Sequence, residues 1–125
     1  MVDLIQNAAT WLSGVLNRNA GQAVTYRRGM EVVTLTVTVG KTEHRTNGEF
    51  GVVDVVESRD FLYPVADLVL GGVATEPERR DQILEVVGAT TLMYEVLPFG
   101  PNDRHFEFDR YRETVRVFTK LVAEV

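Results

Sequence analysis

Residues 32–39 read Val32-Val33-Thr34-Leu35-Thr36-Val37-Thr38-Val39. Val33, Leu35, Val37 and Val39 occupy alternate positions, and Thr34, Thr36 and Thr38 fill the places between them. Successive side chains of an extended chain point to opposite faces. The pattern therefore sets an apolar face against a core and a hydroxyl face toward water. All of these residues except Leu35 are β-branched, which suits a pleated surface. The stretch predicts a half-buried strand, and its flanks predict the neighbours. Ala23 to Arg28 is strand-like and Gly29-Met30 reads as a turn, so the two runs form a hairpin.

Further along, Val52 to Glu57 resumes strand character and Phe61-Leu62-Tyr63 continues it to Pro64, which cannot donate to a ladder. The intervening Lys41 to Glu49 is polar and contains Asn47-Gly48, so it reads as a loop with a turn. Ala66 to Leu70 reads as a short turn of helix, and Gly71 to Arg80 as loop. Gln82 to Val87 is a strand, Gly88-Ala89 a turn, and Thr91 to Leu97 a strand. Pro98 to Asp109 is a longer loop, and Thr114 to Leu121 is the last strand. Before all of these, Leu4, Ile5, Ala8, Trp11, Leu12, Val15 and Leu16 recur at three- and four-residue spacing. They predict an amphipathic helix over 4–16 that seals an open end of the sheet or docks on a partner. No helical pattern separates successive strands, so a parallel crossover sheet is disfavoured. The expected fold is mainly β: a small antiparallel β-barrel or sandwich of about six or seven strands over 23–121 with one N-terminal α-helix. It forms a single domain over 1–125.

Composition narrows the function. The chain has 125 residues, 45% hydrophobic and 25% charged, which is ordinary for one globular domain. With 13 Lys+Arg against 18 Asp+Glu the net charge is −5, so wrapping a duplex is disfavoured. The absence of cysteine excludes a disulfide scaffold, a thiolate zinc site and a thiol nucleophile. No apolar run reaches the roughly 20 residues of a bilayer span, and no secretory signal or membrane partner is expected.

The chemistry-bearing residues are sparse. Gly40-Lys41-Thr42 resembles the end of a phosphate-binding loop, but the position that needs the leading glycine is Leu35, inside a strand. His44 and His105 stand far apart in sequence, so surface histidines are expected and no metal is assigned. Neither Ser13 nor Ser58 sits in a nucleophile elbow. Glu76 with Glu78, and Glu107 with Asp109, read as solvated loop charges. Asp103 to Arg112 mixes Phe106, Phe108 and Tyr111 with charges of both signs. It reads either as an interaction loop with aromatic anchors or as aromatics partly packed on the sheet. No catalytic residue and no cofactor is assigned.

Several segments together resemble a known family. They are Val37-Thr38-Val39-Gly40-Lys41-Thr42, Glu57-Ser58-Arg59-Asp60-Phe61-Leu62, Ala66-Asp67-Leu68, Asp81-Gln82-Ile83, Tyr94-Glu95-Val96 and Thr114-Val115-Arg116-Val117-Phe118-Thr119-Lys120. In this order they resemble the head–tail joining proteins of tailed phages and prophages, also called head completion, stopper or head–tail adaptor proteins. The resemblance runs from about Val24 to Lys120, and departs at Arg80, where the pattern has glycine before Asp81. It implies a compact β-barrel with no enzymatic activity, assembled as a homo-oligomeric ring in the virion neck after synthesis in the host cytoplasm. The implied partners are further copies of the chain, the portal or a portal-side adaptor, a tail-terminator or tail-tube protein, and channel DNA bound without sequence specificity. On this reading three loops do the gripping: Lys41–Phe50, with Lys41, Glu43, His44, Arg45, Asn47 and Glu49; Gly71–Arg80, with Glu76, Glu78 and Arg79; and Pro98–Arg112, with Asn102, Arg104, Phe106, Phe108 and Arg110. The rivals are a tail-terminator ring component and a small ligand-binding or hydrolytic β-barrel, the latter requiring a concave apolar pocket.

Overall fold

A computed structural model describes residues 21–47, 51–100 and 103–125. The helix expected over 4–16 lies outside the described residues. The strands are β1 (Gly21–Arg28), β2 (Glu31–Asn47), β3 (Val53–Pro64), β4 (Val69–Leu70), β5 (Val73–Ala74), β6 (Gln82–Val87), β7 (Thr90–Val96), β8 (Phe106–Phe108) and β9 (Thr114–Glu124). Seven of them form one antiparallel sheet in the order β3-β2-β1-β6-β7-β9-β8, and a further pairing of β3 with β9 joins its two sides. The ladder β1-β2-β3-β9-β7-β6 therefore returns to its start as a ring of strands. β4 and β5 pair separately.

Strand alternation fills this ring. Val24 and Tyr26 of β1, Leu35 and Val37 of β2, Phe61 and Tyr63 of β3, and Val115 and Val117 of β9 point inward at spacing two and share one core. Ile83, Tyr94 and Val96 complete its wall, and Leu68 and Leu70 are also buried in it. Thr34, Thr36 and Thr38 stand exposed on the opposite face of β2, as their alternation with the valines predicts.

Two polar clusters sit inside. Asp81 accepts from the Tyr26 hydroxyl and, at 2.7 Å, from Arg28 Nη2, and the amide of Glu78 donates to it at 2.9 Å. Burial, then the bond to Asp81, pushes the Tyr26 hydroxyl far above the usual phenol range. Near the other end Arg59 Nη2 bridges both oxygens of the buried Glu85 at 2.9 and 2.8 Å, its guanidinium 5.1 Å from the Tyr94 ring centre. A carboxylate inside a core needs such a cation, because an unpaired buried charge costs several kcal/mol.

Four parts of the expected layout need correction. Lys41–Asn47 is strand, not loop: β2 continues, paired residue for residue with β3 from Thr38↔Leu62 to Asn47↔Val53. It looks like a loop because its one covered face, Thr42, His44 and Thr46, is polar, so the apolar alternation that marks a strand is missing. Val65–Asp67 is a 3-10 turn, and β4 follows it in place of helix. Gly71–Arg80 contains β5. Pro98–Asp109 contains β8, which takes the edge of β9 at Val115–Val117 that β7, paired over Thr119–Glu124, leaves open.

Arg80 adopts φ +74 just before β6, with its amide donating to the Val96 carbonyl at 2.7 Å. This is the left-handed conformation that glycine tolerates and a branched side chain resists, and it stands where the resemblance places glycine. Arg80→Gly is expected to be neutral or stabilising by up to about 1 kcal/mol, and Arg80→Val to destabilise by about 1–2 kcal/mol. Urea unfolding of the two variants measures the difference; a Val variant more stable than the Gly variant would contradict the assignment.

Candidate interaction surfaces

Among the described residues, the distal half of the β2–β3 hairpin has no flanking strand. β1 accompanies β2 only as far as Gly21↔Thr38, and β9 accompanies β3 only as far as Arg59↔Thr119. Beyond those positions β2 and β3 continue as a two-stranded ribbon, about 20 Å long at the usual rise per residue. One face carries Lys41 opposite Arg59, Glu43 opposite Glu57 and Arg45 opposite Val55. The other carries Thr42 opposite Ser58, His44 opposite Val56 and Thr46 opposite Asp54. Val53, Val55 and Val56 are 52%, 54% and 48% exposed. Like charges directly across a ladder repel, and the contact of Arg45 Nη2 with Glu43 Oε2 at 3.9 Å between exposed groups offsets that only weakly.

At the root of the ribbon, on the outer face of the sheet, lies a polar network. Asp60 is fully buried and accepts from the Thr42 hydroxyl, from Ser58 Oγ at 2.6 Å and from Arg116 Nη1 at 2.9 Å. His44 Nε2 lies 2.9 Å from Ser58 Oγ. The single hydroxyl hydrogen of Ser58 goes to Asp60, so His44 Nε2 must donate to the serine. A histidine, a serine and an aspartate thus meet in an order unlike that of a hydrolase triad, where histidine stands between the other two. Ser58 is 1% exposed and already donates its proton to a carboxylate, so it has no path to a substrate.

The Pro98–Arg112 segment roofs this network. Phe99 stacks on His44 with ring centres 5.0 Å apart, and Phe118 meets the same imidazole edge-on at 4.9 Å. Gly100, at φ +75, lies so close that an added Cβ would stand 3.3 Å from His44 Nδ1. The turn needs glycine for both reasons. The segment is tied to the Gly71–Arg80 region by His105 Nε2 to the Pro77 carbonyl at 3.0 Å and by Arg79 Nη2 to the Asp103 carbonyl at 3.1 Å.

The candidate residues therefore divide. Lys41, Glu43, His44 and Arg45 lie on the ribbon, with Asn47 at the end of β2, and not on a loop. Glu76, Glu78 and Arg79 are exposed beside the anchor of Asp81. Phe106 and Phe108 are half-buried against the core, so the packed alternative holds for them, while Tyr111 is 72% exposed. Arg104 and Arg110 are exposed. Glu49 and Asn102 lie outside the described residues. Among the described residues no cluster of three or more His, Asp or Glu side chains is arranged to hold a metal ion, and no helix is long and apolar enough to cross a membrane.

A family model described as phage head-tail joining protein matches residues 2–125. The chain belongs to that family. No curated protein matches it significantly. The family is a structural one of the virion, whose members interact with head and tail components.

One surface of this head–tail joining protein holds a single candidate from the sequence, Lys41. Lys41, Arg59 and Lys120, the acidic Glu57, and the apolar Val39, Tyr94 and Leu121 border an open hollow of about 500 Å³ at the ribbon's root. Its members come from β2, β3, β7 and β9, so strand pairing alone brings them together.

The Asp60 network fixes how ribbon and roof sit on the ring. Asp60→Ala leaves Arg116 without its buried carboxylate and is expected to destabilise the head–tail joining protein by about 3 kcal/mol. Ser58→Ala removes one neutral donor and is expected to cost about 1 kcal/mol. Equal losses in denaturant unfolding would show that Asp60 is not the hub.

Proposed function

We propose that this head–tail joining protein forms a homo-oligomeric ring in the neck of the virion, between the portal or its adaptor and the tail-terminator or tail-tube proteins, and helps to retain packaged DNA. The observation that carries this reading is the β2–β3 ribbon, which continues past the closed sheet with no strand on either side among the described residues. Within a ring such an extension reaches the channel or a neighbour. Its acidic Glu43, Asp54 and Glu57 repel phosphates and let DNA pass without sticking. The Gly71–Arg80 and Pro98–Arg112 segments present exposed charge and the Tyr111 ring to the head-side and tail-side partners. In this reading the chain makes and breaks no bond. Ser58 is spent on Asp60, and its hydrogen-bond order is that of a structural network.

The test is electron microscopy of particles assembled without the protein and then with a shortened form. Without it, heads are expected to lose DNA and tails to remain unattached. Replacing Glu43–Glu57 by Asn-Gly leaves Thr42 and Ser58 paired around a two-residue turn. This form is expected to restore tail attachment but to lower DNA retention several-fold. Full retention and infectivity with the shortened ribbon would remove the ribbon from the mechanism, and tailed, DNA-filled particles without the protein would end the neck assignment.

A further inference from the structure

The ring of strands has two ends, and the described residues close one of them. Leu68 and Leu70 are buried there, and Gly71, which follows β4, lies against the Glu31 carboxylate at the start of β2. At the other end the inner sides of the strands run out into solvent. Along β6, Ile83, Glu85 and Val87 alternate on the inner side and go from 0% through 6% to 54% exposed. Along β9, Val117 and Thr119 are fully buried and Leu121 is 41% exposed. β1 pairs with β6 only over Thr25–Arg27, so the two strands part toward Gly21. This mouth is the hollow bordered by Val39, Tyr94 and Leu121. Its charges are mixed and partly spent: Arg59 is held by Glu85, Lys120 stands across from Glu95, and Lys41 shares the rim with Glu57. What it offers an occupant is apolar surface.

The chain before Gly21 carries a matching surface. β1 begins with Gly21 opposite Thr38, one residue short of Val39, so the preceding residues enter at the rim of the mouth. Residues 4–16 contain no charged residue, and their apolar positions fall on the single stripe from Leu4 to Leu16 that the spacing predicts. A helix of that length is about 20 Å long, enough to cross the mouth of a ring of six strands spaced about 4.8 Å apart. Asn17 to Ala20 join it to β1. So short a tether holds the segment at a high effective concentration, which favours it over the same segment of a second copy. An outer groove also adjoins Gly21, but Thr36, Thr38 and Thr114 wall it with hydroxyls and give the stripe little to cover.

We propose that residues 4–16 form a helix that lies across the mouth of their own ring of strands, its stripe on Val39, Val87, Tyr94 and Leu121. The seat adjoins Lys41 and Glu57, on the ribbon face opposite the one that Phe99 roofs, so the helix braces the ribbon's root from the second side. This seat does not depend on the assembly of copies in the neck.

Trp11 is the single tryptophan and the chain has no cysteine, so both probes report without background. In the purified full chain Trp11 emission is expected to lie to the blue of its position in urea, with acrylamide quenching it several-fold less. Leu121→Asp is expected to abolish most of that protection and to speed amide exchange over Lys41–Thr46 several-fold. Tyr111→Asp, at an exposed position away from the mouth, is expected to do neither. Leu12→Cys with Leu121→Cys in one chain, treated with a short bismaleimide, is expected to cross-link within single chains, and a mixture of the two single variants to give no link between chains. The cross-link needs no destabilising charge, so it decides the matter even where Leu121→Asp unfolds. A solvent-exposed Trp11 with no cross-link overturns the seat. A link of Leu12→Cys to Thr36→Cys in place of Leu121→Cys moves the segment to the outer groove and overturns it too. Links between unlike copies overturn it in favour of a second copy, and unchanged exchange over Lys41–Thr46 overturns the bracing.

Discussion

The pairing of β3 with β9 is the constraint on which the rest of the molecule depends. It starts at Pro64↔Thr114 and ends at Arg59↔Thr119, and in that span it turns an open sheet into a ring. Closure removes edges that would otherwise invite further strands. It also decides what is left over. β3 has further residues before Arg59 and β2 has further residues after Thr38, so the hairpin that joins them must leave the ring as a ribbon. A closed core supplies rigidity, and the surplus of two strands supplies reach.

That reach has an energetic consequence. A two-stranded hairpin is marginal by itself in water. Here the root is held by Asp60, which gathers Thr42, Ser58 and Arg116 from three strands, and by His44, clamped between Phe99 and Phe118. Farther out those supports stop, and Val55 and Val53 stand exposed. Order is therefore supplied by the ring near the root. The charges along the ribbon discourage indiscriminate strand addition at its edges, which selects for docking through a face.

Much of this was legible in the sequence. Period-two alternation at Val33–Val39 placed β2 and its inward side, and Gln82–Val87 was read with the bounds that the structure has. Polar strands were not legible. Lys41–Asn47 lies beyond the ring wall and its covered face meets a polar network through Thr42 and His44, so apolar alternation, the signal that marks a strand, is missing for a physical reason. β8 is three residues, Phe106-Glu107-Phe108, whose alternation is correct but too brief to stand out among the charges around it. The hollow was out of reach altogether: Lys41 and Lys120 lie on strands far apart in the chain, and only closure through β3 brings β2 and β9 to one place.

The same geometry explains why a serine, a histidine and an aspartate meet here without forming a reactive site. Asp60 and Ser58 alternate on the outer face of β3, and His44 lies across the ladder, one pair beyond Ser58. Strand spacing therefore places serine in the middle, with its proton committed to a buried carboxylate and its oxygen accepting from the imidazole. A nucleophile needs the reverse: a hydroxyl at the end of the chain of bonds, open to solvent and next to a base. With Phe99 and Gly100 closed over the imidazole, the network's role is to fix the angle at which the ribbon leaves the ring. For a part that joins others, that angle is the property that has to be held constant from copy to copy.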